Sequence, residues 1–546
     1  MVDLGRTLAL ITHAAPAAHR GGTLNVVAGG GVTSIDPGTA WSPNNWQLLS
    51  MTNDGLLTYA RNSYAGSAAL VPDLATALPL VRDGGRTFIF RLRGGVRYSN
   101  GIVVRPEDFR RALGREYQAG SGLAALGVPI AGSEHCGPHH ATCRLDSGVT
   151  VDDAAQTVTY HLSAPDPAFL YQLALPFGAA VPSGIPGIGP GNTPLPATGP
   201  YRIASYSPGR QVLLVRNPRF HPWSAAAQPA GYPARISIRL GLQPGAEAAA
   251  VASGRADVML DTPPAAALAS LRRRVPQLMH TYALGWTYAM FLNTRLAPFN
   301  RVSARQALDL AVDRLRIARL AGGPELARPT CQILPPGFPG YYPYCTSTIN
   351  PGPAGLWRGA ALSQARALVA ASGTSGETVT VSTIANDPFK LAVGHYFAGL
   401  LDLLGYRARL RTYPDFNSYY RQIGLASAGS QLGVAGWGAD YPAGSAFFGP
   451  LFSCASYQPR QPYNTNPAGF CDRQIDSQIA HATALQTANA AAANRAWQRI
   501  DQEIMQQVPW IPLVNPLGID LVSERVGNYQ RTPALGVLLD QLWIKN

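Results

Sequence analysis

The sequence predicts an α/β protein built around more than one core. Its 546 residues exceed what one core holds, since single cores stop growing near roughly 250 to 300 residues. Between residues 362 and 436, helix-period and strand-period stretches alternate at lengths that suit parallel crossovers. The composition is 46% apolar and 14% charged, with 56 glycines and 46 prolines, which describes a globular chain rich in turns and long surface loops. No uninterrupted apolar run approaches the ~18 residues that a membrane span needs.

Taken in order, Gly22 to Val27 reads as a first strand running into glycines 29 to 31, and Ser34-Ile35-Asp36-Pro37 as a turn. The glycines alone do not make a phosphate loop, because no GK[ST] and no GxGxxG helix follows. Leu70 to Ala75 precedes Gly84 to Arg93, a hairpin with alternating apolar faces. Pro106 then opens a helix in which Phe109, Ala112 and Leu113 share one face. Thr198 to Ile203 and the alternation Val212, Leu214, Arg216 predict a turn and a strand.

Phe291-Leu292-Asn293-Thr294 leads through Pro298-Phe299 into a helix over Val302 to Asp313. Ser303 and Gln306 are spaced as a capping box, Leu308, Ala311, Val312 and Leu315 form an apolar stripe, and the arginines read as a solvated face. Beyond a Pro-rich stretch from Pro335 to Pro353, the pattern predicts a helix over Leu362 to Ala371 and a strand over Thr378 to Ile384. A helix over Pro388 to Leu404 and a strand over Tyr406 to Tyr413 follow. Gly433 to Gly436 would add a strand to the same sheet, with Trp437 to Pro442 just beyond its carboxyl end, where open α/β sheets take their ligands. One long Ala-rich helix is expected from Arg473 to Gln507, ended by Pro509-Trp510-Ile511-Pro512-Leu513.

Charge excludes less than its size suggests. The net +13 is carried by arginine, with lysine only at Lys390 and Lys545. The arginines are scattered apart from Arg272-Arg273-Arg274, so no aromatic-interleaved basic stripe forms and no nucleic-acid partner is expected. The bias toward arginine reads as genome composition.

Six cysteines fall as three close pairs: Cys136 with Cys143, Cys331 with Cys345, and Cys454 with Cys471. This spacing reads as three disulfides closing surface loops in an oxidising compartment. An alternative stays open for the first pair. His135, His139 and His140 stand with two thiols in nine residues, a set that could hold zinc or copper and serve a metal-dependent hydrolase. Near the amino terminus, the apolar patch Leu8-Ala9-Leu10-Ile11 is too short for a signal-peptide core, so an export signal is not visible.

Gly436-Trp437-Gly438-Ala439-Asp440-Tyr441-Pro442 concentrates aromatics and a carboxylate at the end of an apolar run. That is how a binding site is commonly furnished. No GxSxG or HExxH accompanies it, so a catalytic centre is not expected.

The succession of motifs resembles the family 5 extracellular solute-binding proteins of peptide and nickel ABC importers. Gly22-Thr23-Leu24 to Ile35-Asp36-Pro37, Leu74-Ala75, Phe88 to Arg93 and Gly101 to Asp108 are similar to its opening signatures. Downstream, Thr198-Gly199-Pro200-Tyr201 with Arg216-Asn217-Pro218 resembles "GTGPY…RNP", and Ser253 to Asp257 a "G-x-x-D" turn. Leu292 to Arg314 resembles "LNT…PF…VRQAL", and Pro509 to Leu513 a "PWIPL" return strand.

The resemblance implies a two-lobed periplasmic-binding fold of the large type, with mixed sheets flanked by helices and an extra subdomain. Lobe I would comprise residues 22–60, 196–282 and 508–546, the extra subdomain 61–195, and lobe II 283–507, after an N-terminal segment over 1–21. It further implies solute capture between lobes, delivery to a membrane permease, a monomer, no cofactor and an extracytoplasmic location. In peptide-binding members the aspartate matching Asp440 pairs with the ligand's ammonium and the residue matching Trp437 lines the cavity. Gly436, Ala439 and Tyr441 complete that motif, while Trp41, Ser42 and Asn44 match a segment along the mouth. Ala443-Gly444 after Pro442 departs from the family's "D-Y-x-D-P". Tyr341, Tyr342, Tyr413 and Tyr419 lie on loops that would shape the cavity. A sensory module of the same fold remains the second reading.

Overall fold

The computed structural model describes residues 19–61, 69–140, 143, 145–352 and 355–545. The patch Leu8 to Ile11 lies outside the described residues, as do Ala141 and Thr142 of the His135 to Cys143 segment and Pro353. The chain divides into two compact units, one holding residues up to His280 together with those from Asp520 onward, the other Thr281–Ile519.

In the first unit, β1 (Thr23–Val27) is a central strand because Leu24 and Val26 point into one apolar core. Helix α1 (Pro43–Leu49) follows it, capped by Ser42, and lays Leu48 and Leu49 on that core. A separate antiparallel sheet holds β2 (Leu80–Arg82), β3 (Thr87–Arg91), β4 (Val149–Asp152) and β5 (Thr157–His161), in the order β2-β3-β5-β4. Helix α2 (Pro106–Ala119) buries Phe109, Ala112 and Leu113, as its periodicity predicts, and its Arg115 reaches Asp36 at 2.7 Å. The turn Ser34 to Pro37 is thereby tied to that helix.

The main sheet of this unit continues with β6 (Tyr201–Ser207), β7 (Gln211–Arg216), β8 (Arg235–Arg239) and β9 (Val258–Met259). Its order is β9-β1-β8-β7-β6, with β1 parallel to both β8 and β9. Asn217 donates to Gly199 O at 3.0 Å, so the two halves of the "GTGPY…RNP" pattern hold one turn. Helix α3 (Pro244–Ala252) covers β9.

In the second unit, β10 (Trp286–Leu292) alternates between two cores along its buried half. Met290 and Leu292 face one core with α4 (Val302–Ala311), and Ala289 and Phe291 face the other. Helix α5 (Leu362–Ser372), β11 (Thr378–Ile384), α6 (Pro388–Leu403) and β12 (Arg407–Tyr413) fall where the periodicity places them. Strand β11 pairs in parallel with β12, and with β13 (Leu432–Gly438) after helix α7 (Phe416–Ile423). The sheet is closed by β14 (Trp510–Val522), giving the order β12-β11-β13-β10-β14. Strand β13 is buried from Leu432 to Ala435 and reads there as a run of small and apolar residues, whereas β11 interleaves Val379, Val381 and Ile384 with threonines and a serine.

Four expectations for this unit need correction. Helix α4 starts at Val302 after Arg301, so Ser303 sits inside the first turn and forms no capping box. Two arginines of that region are not solvated: Arg305 is 3% exposed and donates to Phe299 O and Gln507 O, each at 2.7 Å. Arg314 is fully buried, bonded to Thr330 O, Pro512 O and Asp309, while Leu315, 49% exposed, falls outside the stripe. The long C-terminal helix is two, α8 (Arg473–Ala488) and α9 (Ala490–Gln507). Asn489 breaks it by turning its carboxamide to cap Ala492 N at 3.0 Å.

All three cysteine pairs are disulfides, so Cys136 and Cys143 are bonded to each other. Among the described residues, no group of three or more His, Cys, Asp or Glu side chains could hold a metal ion. Among them too, no helix is long and apolar enough to cross a membrane.

Candidate ligand-binding edge of the second unit

Because β11, β12 and β13 are parallel, their carboxyl ends share one edge of the sheet. The antiparallel β10 contributes its amino-terminal residue to the same edge, with Trp286 opposite Gly438. Topology alone thus gathers Trp286, the start of α6, the start of α7 and the segment from Trp437 onward.

Strand β13 runs through Gly438, two residues beyond the Gly436 end that the sequence reading gives it, so Trp437 lies on the strand itself. Alternation turns Trp437 to the face opposite that of Gly436 and Gly438. It packs half-buried against the core that contains Phe447 and Trp497, and its indole N–H donates to Ala446 O at 2.7 Å. On the other face, the indole of Trp286 lies across the two glycines. A Cβ at Gly436 would stand 2.7 Å from Trp286 Nε1 and 2.8 Å from Tyr288 Cδ1, and one at Gly438 would overlap the indole. These glycines exist to admit that ring.

Asp440 is exposed and, among the described residues, makes no hydrogen bond or ion pair. The protein surrounding it nevertheless desolvates its carboxyl enough to push it above the usual aspartate value. Neighbouring Tyr441 is half-buried, with its hydroxyl 3.3 Å from Ser445 Oγ. Ala439 N–H donates to Gly285 O at 3.4 Å, tying the loop back to β10.

At the start of α6, Asp387 caps the helix through Lys390 N and also holds the Lys390 ammonium at 2.9 Å. Burial raises the Asp387 carboxyl, but these bonds outweigh it and keep it below its ordinary value. Lys390 also lies 5.5 Å over the ring of Phe416, which meets Tyr420 in a tilted contact with centroids 4.4 Å apart. Tyr288 meets Phe389 at 5.1 Å. The edge is therefore aromatic-walled, with one unpaired carboxylate and one ammonium held by an acid. Sequence reasoning passed over Trp286, Phe389 and Lys390; the paired glycines flanking Trp437 were the available signal for the first.

Of the loop tyrosines, Tyr419 is core, its hydroxyl donating to Val434 O at 2.8 Å, whereas Tyr342 is 54% exposed. The remaining expected contact residues belong to the first unit. Trp41 is 46% exposed and packs on Phe177 with ring centroids 4.7 Å apart. Ser42 Oγ accepts Asn45 N at 3.1 Å and donates to Gly31 O, and Asn44 Nδ2 donates to Gly30 O at 3.4 Å. Both side chains support the glycine turn after β1.

A model of the bacterial extracellular solute-binding proteins, family 5 Middle, matches residues 69–459. Relatives include di/tripeptide-binding protein 2 of Pseudomonas aeruginosa, 25% identical over 497 residues, 86% of this chain and 85% of that protein. The glutathione-binding protein GsiB of Salmonella typhimurium is 24% identical over 535 residues, 95% and 94% of the two chains. Among solved structures, clavulanic acid biosynthesis oligopeptide binding protein 2 aligns with a TM-score of 0.81 at 25% identity, over 97% of both chains. The unliganded open form of the periplasmic murein tripeptide binding protein MppA aligns at 0.78 and 20% identity, over 96% of this chain and 97% of that one, a likeness of fold.

Proposed function

The chain belongs to the bacterial extracellular solute-binding proteins of family 5, and from that premise we propose that it is the extracytoplasmic binding protein of an ABC importer. It captures a short peptide or related amino-bearing solute and delivers it to a membrane permease. The observation that carries this reading is Asp440: an accessible carboxylate, without a partner among the described residues, at the carboxyl end of a parallel strand. A peptide ammonium there makes a charge-assisted hydrogen bond, a contact of about 1.5 to 3 kcal/mol. The names of two relatives, di/tripeptide-binding and glutathione-binding, bring peptides of two or three residues forward as solutes.

Gly436, Ala439 and Tyr441 accompany the carboxylate in the same segment, Trp437 braces its strand, and Trp41, Ser42 and Asn44 are candidate solute contacts on the first unit. The work of such a protein is binding without bond-making. Calorimetry with Ala-Ala-Ala and its N-acetylated form tests the reading. The free peptide should bind and the acetylated one should not; equal affinity for both would remove Asp440 from the contact.

A further inference from the structure

An aromatic group offered at this edge from the sheet itself is Trp286, 38% exposed at the first position of β10. One face of its indole is laid on the backbone of Gly436 and Gly438, and Tyr288 flanks it with ring centroids 5.9 Å apart. The ring is thus fixed in orientation before any solute arrives, with its other face left to solvent. Its neighbour Gly285 accepts the N–H of Ala439, the residue before Asp440, so the strand that carries the indole is bonded directly to the segment that carries the carboxylate, two residues past the end of β13.

We infer that Trp286 is a specificity-determining residue, its free indole face taking a planar side chain next to the ammonium held by Asp440. The favoured solute is then a peptide whose first residue is aromatic. This rests on the peptide reading above and narrows it. An offset-stacked aromatic pair contributes beyond its buried area, and a ring already fixed in place loses little freedom on binding. Together these are worth about three- to tenfold in affinity. Trp437 does not compete for this role, since its N–H is engaged by Ala446 O and its ring faces the core.

The test is calorimetry on the ligand-free full chain with Phe-Ala-Ala, Ala-Ala-Phe and Ala-Ala-Ala. Phe-Ala-Ala should bind about three- to tenfold more tightly than either of the others. That margin should disappear in Trp286→Leu and survive in part in Trp286→Phe, which keeps a ring. Equal affinity of the wild type for Phe-Ala-Ala and Ala-Ala-Ala, or a margin undiminished in Trp286→Leu, would overturn the inference and leave the peptide reading standing. Failure of the wild type to bind any of the three would overturn both.

Discussion

Trp286 and Gly438 face each other across the β10–β13 ladder, and the indole fills the space that a side chain at 438 would need. The Gly-Trp-Gly pattern is therefore a steric imprint of a residue far away in sequence. Replacing Gly438 with alanine should push the indole off the strand. Overpacking of this kind costs roughly 1 to 3 kcal/mol. We expect Gly438→Ala to lower the denaturation midpoint of the second unit and to weaken solute binding together. Unchanged tryptophan fluorescence and an unchanged midpoint would show that the ring is not held there.

Asp440 predicts how capture depends on pH. In the free protein its carboxyl lies above the usual aspartate value because of desolvation, while an ammonium partner favours the ionised form. Affinity for an amino-bearing solute should be full at neutral pH and fall as pH drops through that raised value, sooner than for an ordinary aspartate. Asp440→Asn should lose roughly ten- to hundredfold in affinity at pH 7 and flatten the pH profile. Calorimetric titrations at stepped pH on both proteins measure each effect.

Asp501 is a different kind of acid. It is 1% exposed and accepts the N–H groups of Ile333 and Leu334, each at 3.1 Å, and the hydroxyl of Tyr344 at 2.9 Å. Burial still pushes it up to about 6. With the folded value above the unfolded one, the folded state holds the extra proton between them, so its contribution to stability is lost as pH rises from about 4 to about 6. Urea denaturation should show Asp501→Asn gaining about 2 to 3 kcal/mol relative to wild type over that interval. A pH-independent difference would mean that the carboxyl titrates normally.

The loop that Asp501 grips is also closed covalently, by Cys331–Cys345 across 14 residues. Opening a loop of that size releases about 3 kcal/mol of chain entropy into the unfolded state. Cys331→Ala/Cys345→Ala should lower stability by roughly that amount. Combined with Asp501→Ala the losses should not add, because both tethers hold one segment. A strictly additive triple variant, read by the same denaturation, would contradict this.

What was legible in the sequence is what local chemistry sets. From Leu362 to Tyr413, period-3.6 and period-2 patterns switch cleanly, and the elements stand where the pattern puts them. The disulfide pairs are close in sequence and could be read off. The misses have tertiary causes. Arg305 and Arg314 are buried because carbonyls from distant segments, Gln507 O and Pro512 O among them, receive their guanidinium groups. Trp286 escaped because its place depends on β10 meeting β13. Ser303 and Asn489 are local errors of another sort, since one residue of offset decides whether a short polar side chain caps a helix or merely sits in it.

Lysine occurs at only two positions in this chain, and one of them, Lys390, stands at the edge where Asp440 lies, with its ammonium on Asp387 and over Phe416. Nature has left the protein almost free of primary amines and put one at the place of interest. Isotope-labelled methyl groups introduced on lysine would give a spectrum in which one of two side-chain signals reports directly on occupancy. Arriving solute could then be followed in the intact protein without adding a probe of foreign shape.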